Sequence, residues 1–252
     1  LLTMKAFAEG NRAMVYFAAK QVDILNNSQD EEQKKQADAL LAFLTPIAKA
    51  FMTEVGFEAA NHGVQIYGGH GFIAEWGMEQ NVRDARIGML YEGTTGIQAL
   101  DLLGRKVLMT QGEALKCFTK IVHKFCHNEE GNEAIKEFVT PLNALNKEWG
   151  ELTMKIGMAA MKDREMVGAA SVDYCMYSGY ACLAYFWADM ARVAAAKLAE
   201  GTSEQAFYQA KLQTARFYFQ RILPRTRMHV ESMMSGADNL MDMPEENFAL
   251  GY

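Results

Sequence analysis

The sequence has little that would favour strands, loops or cross-links. Only four of its 252 residues are proline, and no stretch shows sustained alternation of β-branched residues. Methionine, alanine, leucine, glutamine, glutamate and lysine, which all favour helices, are abundant instead. The sequence therefore predicts an all-α fold.

Cysteine is also scarce. The four cysteines have no CxxC spacing, and Cys175 and Cys182 lie in an apolar helical context, where a free cysteine behaves as a small hydrophobic residue. No set of histidine, cysteine and carboxylate residues has the spacing of metal ligands. Because no signal peptide is recognisable either, we expect a reducing, cytoplasmic compartment and no metal site.

The sequence lacks both a strong positive charge and a long hydrophobic run. Its formal net charge is −6, and its lysines and arginines are spread out, which argues against nucleic acid as a partner. The longest apolar run of the carboxyl-terminal half, residues 181–188, stops at Asp189 and is far shorter than a membrane span. We therefore expect no transmembrane segment.

The first residues already carry a helical, apolar pattern. Residues 1–7 read LLTMKAF, without an initiating methionine or a leader. We therefore expect the chain to be a fragment or a processed product of a longer protein.

Helical patterns separated by glycine, asparagine and proline divide the chain. Thr45 and Pro46 either begin a helix or kink a longer one. The tail from Ser235 onward is expected to run along the surface. The predicted helices cover residues 2–25, 47–67, 78–86, 97–109, 113–126, 132–161, 163–200 and 203–229. Two helical bundles in tandem, residues 1–110 and 111–252, are the simplest architecture for such helices.

Two glycine-rich loops interrupt the helices between residues 64 and 106. The first, Gly68-Gly69-His70-Gly71, follows a predicted helix, and a C-terminal cap explains it about as well as a ligand site does. The second, residues 91–96 (YEGTTG), places Glu92 beside a glycine that permits the close approach of a ligand. Its alternative interpretation is a helix N-terminus capped by Thr94 or Thr95.

Three segments in this order resemble the acyl-CoA dehydrogenase family. They are residues 65–72 (QIYGGHGF), residues 83–87 (RDARI) and residues 91–94 (YEGT). The resemblance covers roughly residues 1–106. The helices that follow resemble the extra carboxyl-terminal domain of a long subclass of these enzymes, which includes dehydrogenases for fatty acyl-CoA and methylmercaptopropionyl-CoA.

The resemblance implies a fold and a reaction. The family has a helical amino-terminal domain, a central β domain and an up-and-down four-helix bundle, of which this chain would hold most of the last. Glu92 matches the catalytic base, which removes the α-proton of an acyl-CoA thioester while the β-hydrogen leaves as hydride to N5 of FAD. The Glu92 backbone N–H matches the donor to the thioester carbonyl, and Gly93 lies beside it at the substrate. Such donors stabilise charge that develops on a carbonyl oxygen.

The resemblance also implies the residues that hold FAD. Gln65, Gly68 and Gly69 match a loop that touches the FAD of a neighbouring subunit, and Thr94 matches a cofactor-contacting position. Where this chain has Gly96, the family often has glutamine, so a contact there would come from the backbone.

Other polar residues of these segments are expected to be structural. His70, where the family often has asparagine, is expected to pack in its loop or lie at the edge of the cofactor. Arg83, Asp84 and Arg86 are expected to include a partly buried Arg–Asp pair that fixes the turn before Glu92.

The implied partners are an acyl-CoA substrate, an electron-transfer flavoprotein as acceptor, and further copies of the chain in a homodimer or tetramer. One alternative is a helical docking or oligomerisation module without catalysis, and we expect the fragment alone to be inactive and to bind FAD poorly. Another is an acyl-CoA oxidase of the same fold. Nitroalkane oxidases, which also share the fold, have aspartate at the position of Glu92, which counts against them.

Overall fold

The structure is a computed structural model that describes residues 1–249. Within that range it is helical and has no strand, which confirms the all-α prediction. The α-helices are α1 (Leu2–Asn27), α2 (Glu31–Tyr67), α3 (Gly69–Phe72), α4 (Met78–Ile87), α5 (Thr95–Leu100), α6 (Glu113–Asn128), α7 (Lys136–Ala160), α8 (Glu165–Ala199), α9 (Gln205–Phe217), α10 (Thr226–Met233) and α11 (Asp238–Met241). Two π-helical segments (Asp101–Leu108 and Tyr218–Ile222) and three short 3-10 segments (Ala74–Trp76, Leu223–Arg225 and Glu245–Phe248) connect them.

Helix α2 decides between the two interpretations of Pro46. It begins at a conventional cap, where the Asp30 side chain accepts hydrogen bonds from the backbone N–H groups of Glu32 and Gln33. It then runs without interruption through Pro46. The Thr45 hydroxyl donates to the carbonyl of Leu41 at 2.6 Å. Pro46 therefore lies inside one long helix.

Helix α8 is the centre of the molecule. It packs against α1, α2, α5, α7, α9 and α10, and eighteen of its residues are buried. The apolar run 181–188 lies here, with only Tyr185 partly exposed. One hydrophobic core joins residues from before and after position 110, such as Phe51 and Trp149. The division into residues 1–110 and 111–252 therefore stays a prediction.

One helix among the described residues is long and apolar enough to cross a membrane. An 18-residue window of α2 has a mean hydropathy of 1.4, and 44 % of it is buried inside the protein. Core helices of globular proteins meet the same criterion. Phe43, Ile47 and Phe51 of α2 are fully buried in the core, so packing accounts for their apolar character.

The last long helix differs from its prediction. Residues 203–229 were expected to form one helix, but α9 ends at Phe217, and a π-helical and a 3-10 segment containing Pro224 precede α10. Proline lacks the N–H that a continuous ladder requires. Beyond Ser235 the chain is exposed up to residue 249 except near Ala237. Residues 250–252 of the predicted surface tail lie outside the described residues.

Candidate functional site

The segment before Glu92 is placed by the side of α2. Helix α4 runs back along α2, with the Arg86 guanidinium 5.9 Å from the ring centroid of Phe57. Gly88 then approaches Thr53 so closely that a Cβ there would lie 3.2 Å from its methyl group. Residues 88–94 therefore lie along α2 and run from Thr53 towards Lys49, near the middle of that helix.

Glu92 lies in a tight turn, residues 91–95 (the Glu92 turn), and has an uncommon backbone conformation. Its φ is 53°, and Gly93 follows with a φ of 91°. Among non-glycine residues, only Glu92 and Gln111 have positive φ in the described chain. A left-handed conformation is unfavourable for an L-residue and persists where surrounding contacts impose it.

Two side chains from different helices hold this turn. The Lys49 ammonium of α2 donates to the carbonyl oxygen of Gly93 at 2.5 Å and lies 5.8 Å from the ring centroid of Tyr91. The Gln98 amide of α5 donates to the carbonyl oxygen of Glu92 at 3.3 Å. Both carbonyls of the turn are therefore engaged by the protein.

The last residues of the turn are anchored as well. The Thr94 hydroxyl accepts from the N–H of Ile97 at 3.4 Å and caps α5, which confirms the capping alternative for Thr94. The Thr95 hydroxyl donates to the Glu54 carboxylate of α2 at 2.6 Å. No atom lies within 4 Å of a Cβ built on Gly96, so its backbone is open to a ligand.

The turn presents free hydrogen-bond donors. Within residues 1–249, the backbone N–H groups of Glu92, Gly93 and Thr94 donate to no protein acceptor. The Glu92 side chain is exposed and forms no ion pair with any described residue. One turn thus carries an exposed carboxylate and three adjacent N–H groups without an acceptor among the described residues, an arrangement suited to a carbonyl or anionic oxygen.

The glycine-rich loop at the end of α2 is equally open. Gly68 has a φ of 59°, and its N–H donates to the carbonyl of Gln65 at 3.1 Å as the helix ends. Nothing lies within 4 Å of a Cβ built on Gly68 or Gly69, and Gln65 is exposed. The prediction that these glycines end the helix is confirmed, and their backbone is accessible to a ligand.

The two groups of predicted site residues lie far apart in one chain. The Glu92 turn contacts α2 at Lys49 and Glu54, whereas Gly68 lies 14 residues beyond Glu54. A helical rise of 1.5 Å per residue makes this separation about 20 Å. The structure therefore brings Glu92, Gly93, Thr94 and Gly96 together and keeps Gln65, Gly68 and Gly69 away from them.

The predicted Arg–Asp pair is wrong. Asp84 accepts instead from the Gln80 amide at 2.7 Å, and Arg83 lies 3.9 Å from Glu79 with its side chain 73 % exposed. These residues point away from α2 because they lie on the outer face of α4. Lys49 of α2 and Gln98 of α5 hold the turn instead. The sequence around the arginines does not indicate these contacts.

His70 packs in its own loop, as expected. Its ring meets the ring of Trp76 edge-on, with 5.2 Å between centroids and an interplanar angle of 83°. The described residues contain no cluster of three or more histidine, cysteine and carboxylate side chains able to hold a metal ion.

Lys49, Glu54 and Gln98 were not identified from the sequence. Lys49 did leave a signal, since it is the one charge in the apolar stretch PIAKAF, residues 46–51. A single charge within the apolar part of a core helix usually has a specific acceptor. Gln98 and Glu54 left no signal, because polar residues on partly exposed helices are common.

Many exposed apolar side chains, together called the exposed apolar surface, lie in the stretch of chain that contains the two open loops. Its members lie on residues 66–100 and keep between 43 % and 81 % of their surface exposed; they are Ile66, Tyr67, Phe72, Ile73, Trp76, Ile87, Leu90, Tyr91, Ile97 and Leu100. Exposed apolar side chains concentrated in one stretch of chain are typical of interaction sites. A cavity of about 1160 Å³ lies elsewhere, between α6, α7 and the start of α8, and includes none of the predicted site residues.

Two family models match the chain. The model described as "Acyl-CoA dehydrogenase, C-terminal domain" matches residues 1–108, and the one described as "Acetyl-CoA dehydrogenase C-terminal like" matches residues 118–244. Together they account for nearly the whole sequence.

Curated relatives and solved structures agree with these models. The 3-methylmercaptopropionyl-CoA dehydrogenase of Ruegeria pomeroyi is 34 % identical over 96 % of this chain and 41 % of its own length. A broad-specificity linear acyl-CoA dehydrogenase of Mycobacterium tuberculosis is 31 % identical over 98 % of this chain and 42 % of its own length. The chain thus spans about two fifths of the length of these relatives.

Two crystal structures share the fold. Caenorhabditis elegans ACDH-11 in complex with C11-CoA superimposes with a TM-score of 0.69 at 19 % identity, covering 85 % of this chain and 34 % of the other. A Bacillus anthracis acyl-CoA dehydrogenase complexed with FAD also gives 0.69, at 21 % identity, covering 92 % and 40 %.

Proposed function

Because the chain belongs to the acyl-CoA dehydrogenase family, we propose that it supplies the catalytic base and part of the flavin site for the α,β-dehydrogenation of an acyl-CoA thioester. The Glu92 turn is the observation that carries the proposal. It presents an exposed carboxylate and three backbone N–H groups that have no acceptor among residues 1–249. FAD, when bound, supplies an acceptor for the hydrogen that leaves the β-carbon as hydride.

Glu92 acts as the base. Its carboxylate takes the proton from the α-carbon, and its own backbone N–H donates to the thioester carbonyl on which negative charge develops. Gly93 has a φ of 91°, and a Cβ there would lie 2.6 Å from the amide nitrogen of Gln98, so glycine at this position lets Gln98 reach the turn while the Gly93 backbone lies beside the substrate. Substrate that covers the turn excludes water from the carboxylate and strengthens these interactions.

The residues around both loops fit FAD. Thr94 and Gly96 offer an open backbone directly after the base, and Gln65, Gly68 and Gly69 offer a second open backbone at the end of α2. Polar groups on exposed backbone are suited to phosphate and carbonyl oxygens. These five residues would hold the cofactor.

The distance between the two loops is compatible with an oligomer. About 20 Å of helix separates them, so a single flavin ring cannot lie against both in one chain. We propose that Gln65, Gly68 and Gly69 serve the FAD of a neighbouring subunit in a homodimer or tetramer. The exposed apolar surface around the loops favours such contacts.

The remaining assignments are also proposals. We propose an electron-transfer flavoprotein as acceptor, a cytoplasmic location, and a division into a bundle of residues 1–110 and an additional domain of residues 111–252. An acyl-CoA oxidase is the alternative within the same fold. Stopped-flow reoxidation of the reduced flavin by oxygen and by electron-transfer flavoprotein distinguishes the two.

Replacement of the base tests the proposal. In the full-length protein, Glu92→Gln keeps the size and polarity of the side chain but removes its capacity to take a proton. We expect the variant to bind FAD and acyl-CoA and to fail to bleach the flavin absorbance when substrate is added. Glu151→Gln, an exposed carboxylate of α7 outside the turn and the loops, is the matched control and should bleach normally. Normal flavin reduction in Glu92→Gln would exclude Glu92 as the base.

A non-catalytic docking module is the second candidate, and the exposed apolar surface favours it for the chain in isolation. On this view residues 1–252 fold and associate through helix faces but bind FAD poorly. Equilibrium titration of the purified chain with FAD measures this directly. Tight stoichiometric binding would contradict the docking-module candidate.

A further inference from the structure

We propose that Lys49 is a positioning residue that holds the Glu92 turn in its working conformation. The inference rests on the proposed function of Glu92 and adds a residue from the middle of α2. Lys49 lies 44 residues from the carbonyl that it binds, so tertiary packing alone brings the two together.

Lys49 contacts the turn on both sides of Glu92. Its ammonium donates to the carbonyl of Gly93 and lies over the ring of Tyr91. A hydrogen bond from an ammonium is stronger than one between neutral groups, and a cation over an aromatic ring adds attraction. The side chain of Glu92, between these two contacts, is left unengaged and exposed.

The direction of the backbone donors follows from these contacts. In a trans peptide the C=O and the N–H point to opposite sides. Gln98 engages the carbonyl of Glu92, and Lys49 engages the carbonyl of Gly93. The N–H groups of the same two peptides, on Gly93 and Thr94, are therefore turned away from α2 and α5, where no protein acceptor in residues 1–249 meets them.

Lys49 has no other evident partner. It is partly buried, it forms no ion pair in the described part of the chain, and Gly93 is its only hydrogen-bond acceptor there. The nearby Glu54 carboxylate is bound to Thr95. Burial of an ammonium group without a carboxylate partner is unfavourable unless other polar groups compensate for the lost hydration. Here the Gly93 carbonyl, in the turn that carries the base, is the group that accepts from the Lys49 ammonium.

Two substitutions test the role. Lys49→Met keeps the length and apolar body of the side chain but removes the donor, whereas Lys49→Arg keeps a donor. In the full-length, FAD-loaded protein we expect Lys49→Met to lower kcat by about tenfold to a hundredfold, the size of effect that misplaced catalytic groups produce. KM for acyl-CoA should change much less, and Lys49→Arg should recover a large part of kcat.

Hydrogen exchange supplies a readout independent of activity. The amides of Leu90, Tyr91, Ile97 and Gln98 are hydrogen-bonded on either side of the turn, and they should exchange at least about tenfold faster in Lys49→Met than in the wild type, because loss of the anchor favours local opening. Lys34→Met, on the same helix but paired only with the exposed Glu31, is the control and should change neither kcat nor exchange. Lys49→Met with wild-type kcat and wild-type exchange would overturn the inference.

A measurement on the wild type covers the case in which Lys49→Met does not fold. In ¹⁵N-edited NMR spectra, the protons of the Lys49 ammonium should exchange slowly with water because of their hydrogen bond. Exchange as fast as that of the Lys34 ammonium would overturn the inference. Failure of the two proposals is distinguishable. Normal flavin reduction by Glu92→Gln defeats the function, whereas an inactive Glu92→Gln beside an unchanged Lys49→Met defeats only the role of Lys49.

Discussion

At the scale of single residues, the backbone of Glu92 is in a conformation that a different residue would adopt more easily. A left-handed conformation costs an L-residue about 1–2 kcal/mol relative to glycine, which has no Cβ to clash. Glu92 has a φ of 53° beside Gly93, where the chain already uses a glycine. Retention of glutamate at such a position fits a residue that serves the reaction at the expense of stability.

The cost of this conformation can be measured. We expect Glu92→Gly to unfold with a free energy about 1 kcal/mol higher than Glu92→Ala, because only the alanine variant retains the left-handed strain. Urea unfolding of the purified chain provides both values. Gln111, whose φ is 54°, should show the same difference between Gln111→Gly and Gln111→Ala without any loss of flavin reduction in the full-length protein. Equal stability of the two Glu92 variants would show that the turn relaxes.

At the scale of helices, the approach of α8 to α2 depends on one missing side chain. A Cβ on Gly179 would lie 2.1 Å from Cγ of Phe51, and both residues are buried. Glycine in a helix is intrinsically unfavourable, so its use here is explained by the closeness of the two helices. Gly150 in the middle of α7 has nothing within 4 Å of a Cβ and is exposed.

The same substitution is therefore expected to have opposite signs at the two positions. Gly179→Ala should lower the free energy of unfolding by about 1–3 kcal/mol, the usual cost of overpacking a core. Gly150→Ala should raise it by about 0.5–1 kcal/mol through helix propensity. Urea midpoints at constant m-value give both numbers. Destabilisation by both variants would mean that helix propensity does not govern Gly150.

Helix boundaries show which local signals are reliable. Gly68 ends α2 as predicted, because a left-handed residue after a helix is a strong and local signal. Pro46 was ambiguous, because whether a proline begins or interrupts a helix depends on what packs around it. Pro224 lies in a 3-10 segment that separates two helices predicted as one. The π-helical segment before Pro224 was not predicted, because no residue type marks such a segment in a sequence.

At the scale of the whole molecule, one ion pair joins the carboxyl-terminal part of the chain to the helix that carries the candidate site. The Arg225 guanidinium donates two hydrogen bonds to the Glu58 carboxylate of α2, at 2.7 and 2.8 Å, across 167 residues of sequence. It also lies 3.4 Å from the Tyr180 hydroxyl of α8 and 5.6 Å from the ring centroid of Phe7 in α1. The pair thus links four segments.

This ion pair makes stability depend on pH in a defined window. Burial raises the pKa of Glu58, but the hydrogen bonds from Arg225 and His62 outweigh it and lower that pKa from 4.5. A carboxylate with a lowered pKa stabilises the folded state above its unfolded pKa, and this stabilisation is lost as pH falls through the folded value. Arg225→Met should therefore cost about 1–2 kcal/mol at pH 5–7, and the difference from wild type should shrink below about pH 4.5.

Urea unfolding of both proteins between pH 7 and pH 3.5 measures this difference. The matched control is Arg216→Met, which removes a more exposed pair with Glu137. It should cost less than about 1 kcal/mol, as exposed ion pairs do. A difference between Arg225→Met and wild type that stays constant down to pH 3.5 would rule out Glu58 as the responsible group.

The sequence by itself determined the helical class and the ends of most helices, and it identified Glu92 as the candidate base. Helix propensity, glycine caps and short motifs are properties of neighbouring residues and can be read without knowing what packs against them. Only the tertiary structure decided that Lys49 holds the carbonyl of Gly93, that Arg83 and Asp84 face solvent, and that about 20 Å separates the Glu92 turn from Gly68. Those facts depend on which helix lies beside which, and residues 44 or 167 positions apart leave no local pattern that records their contact.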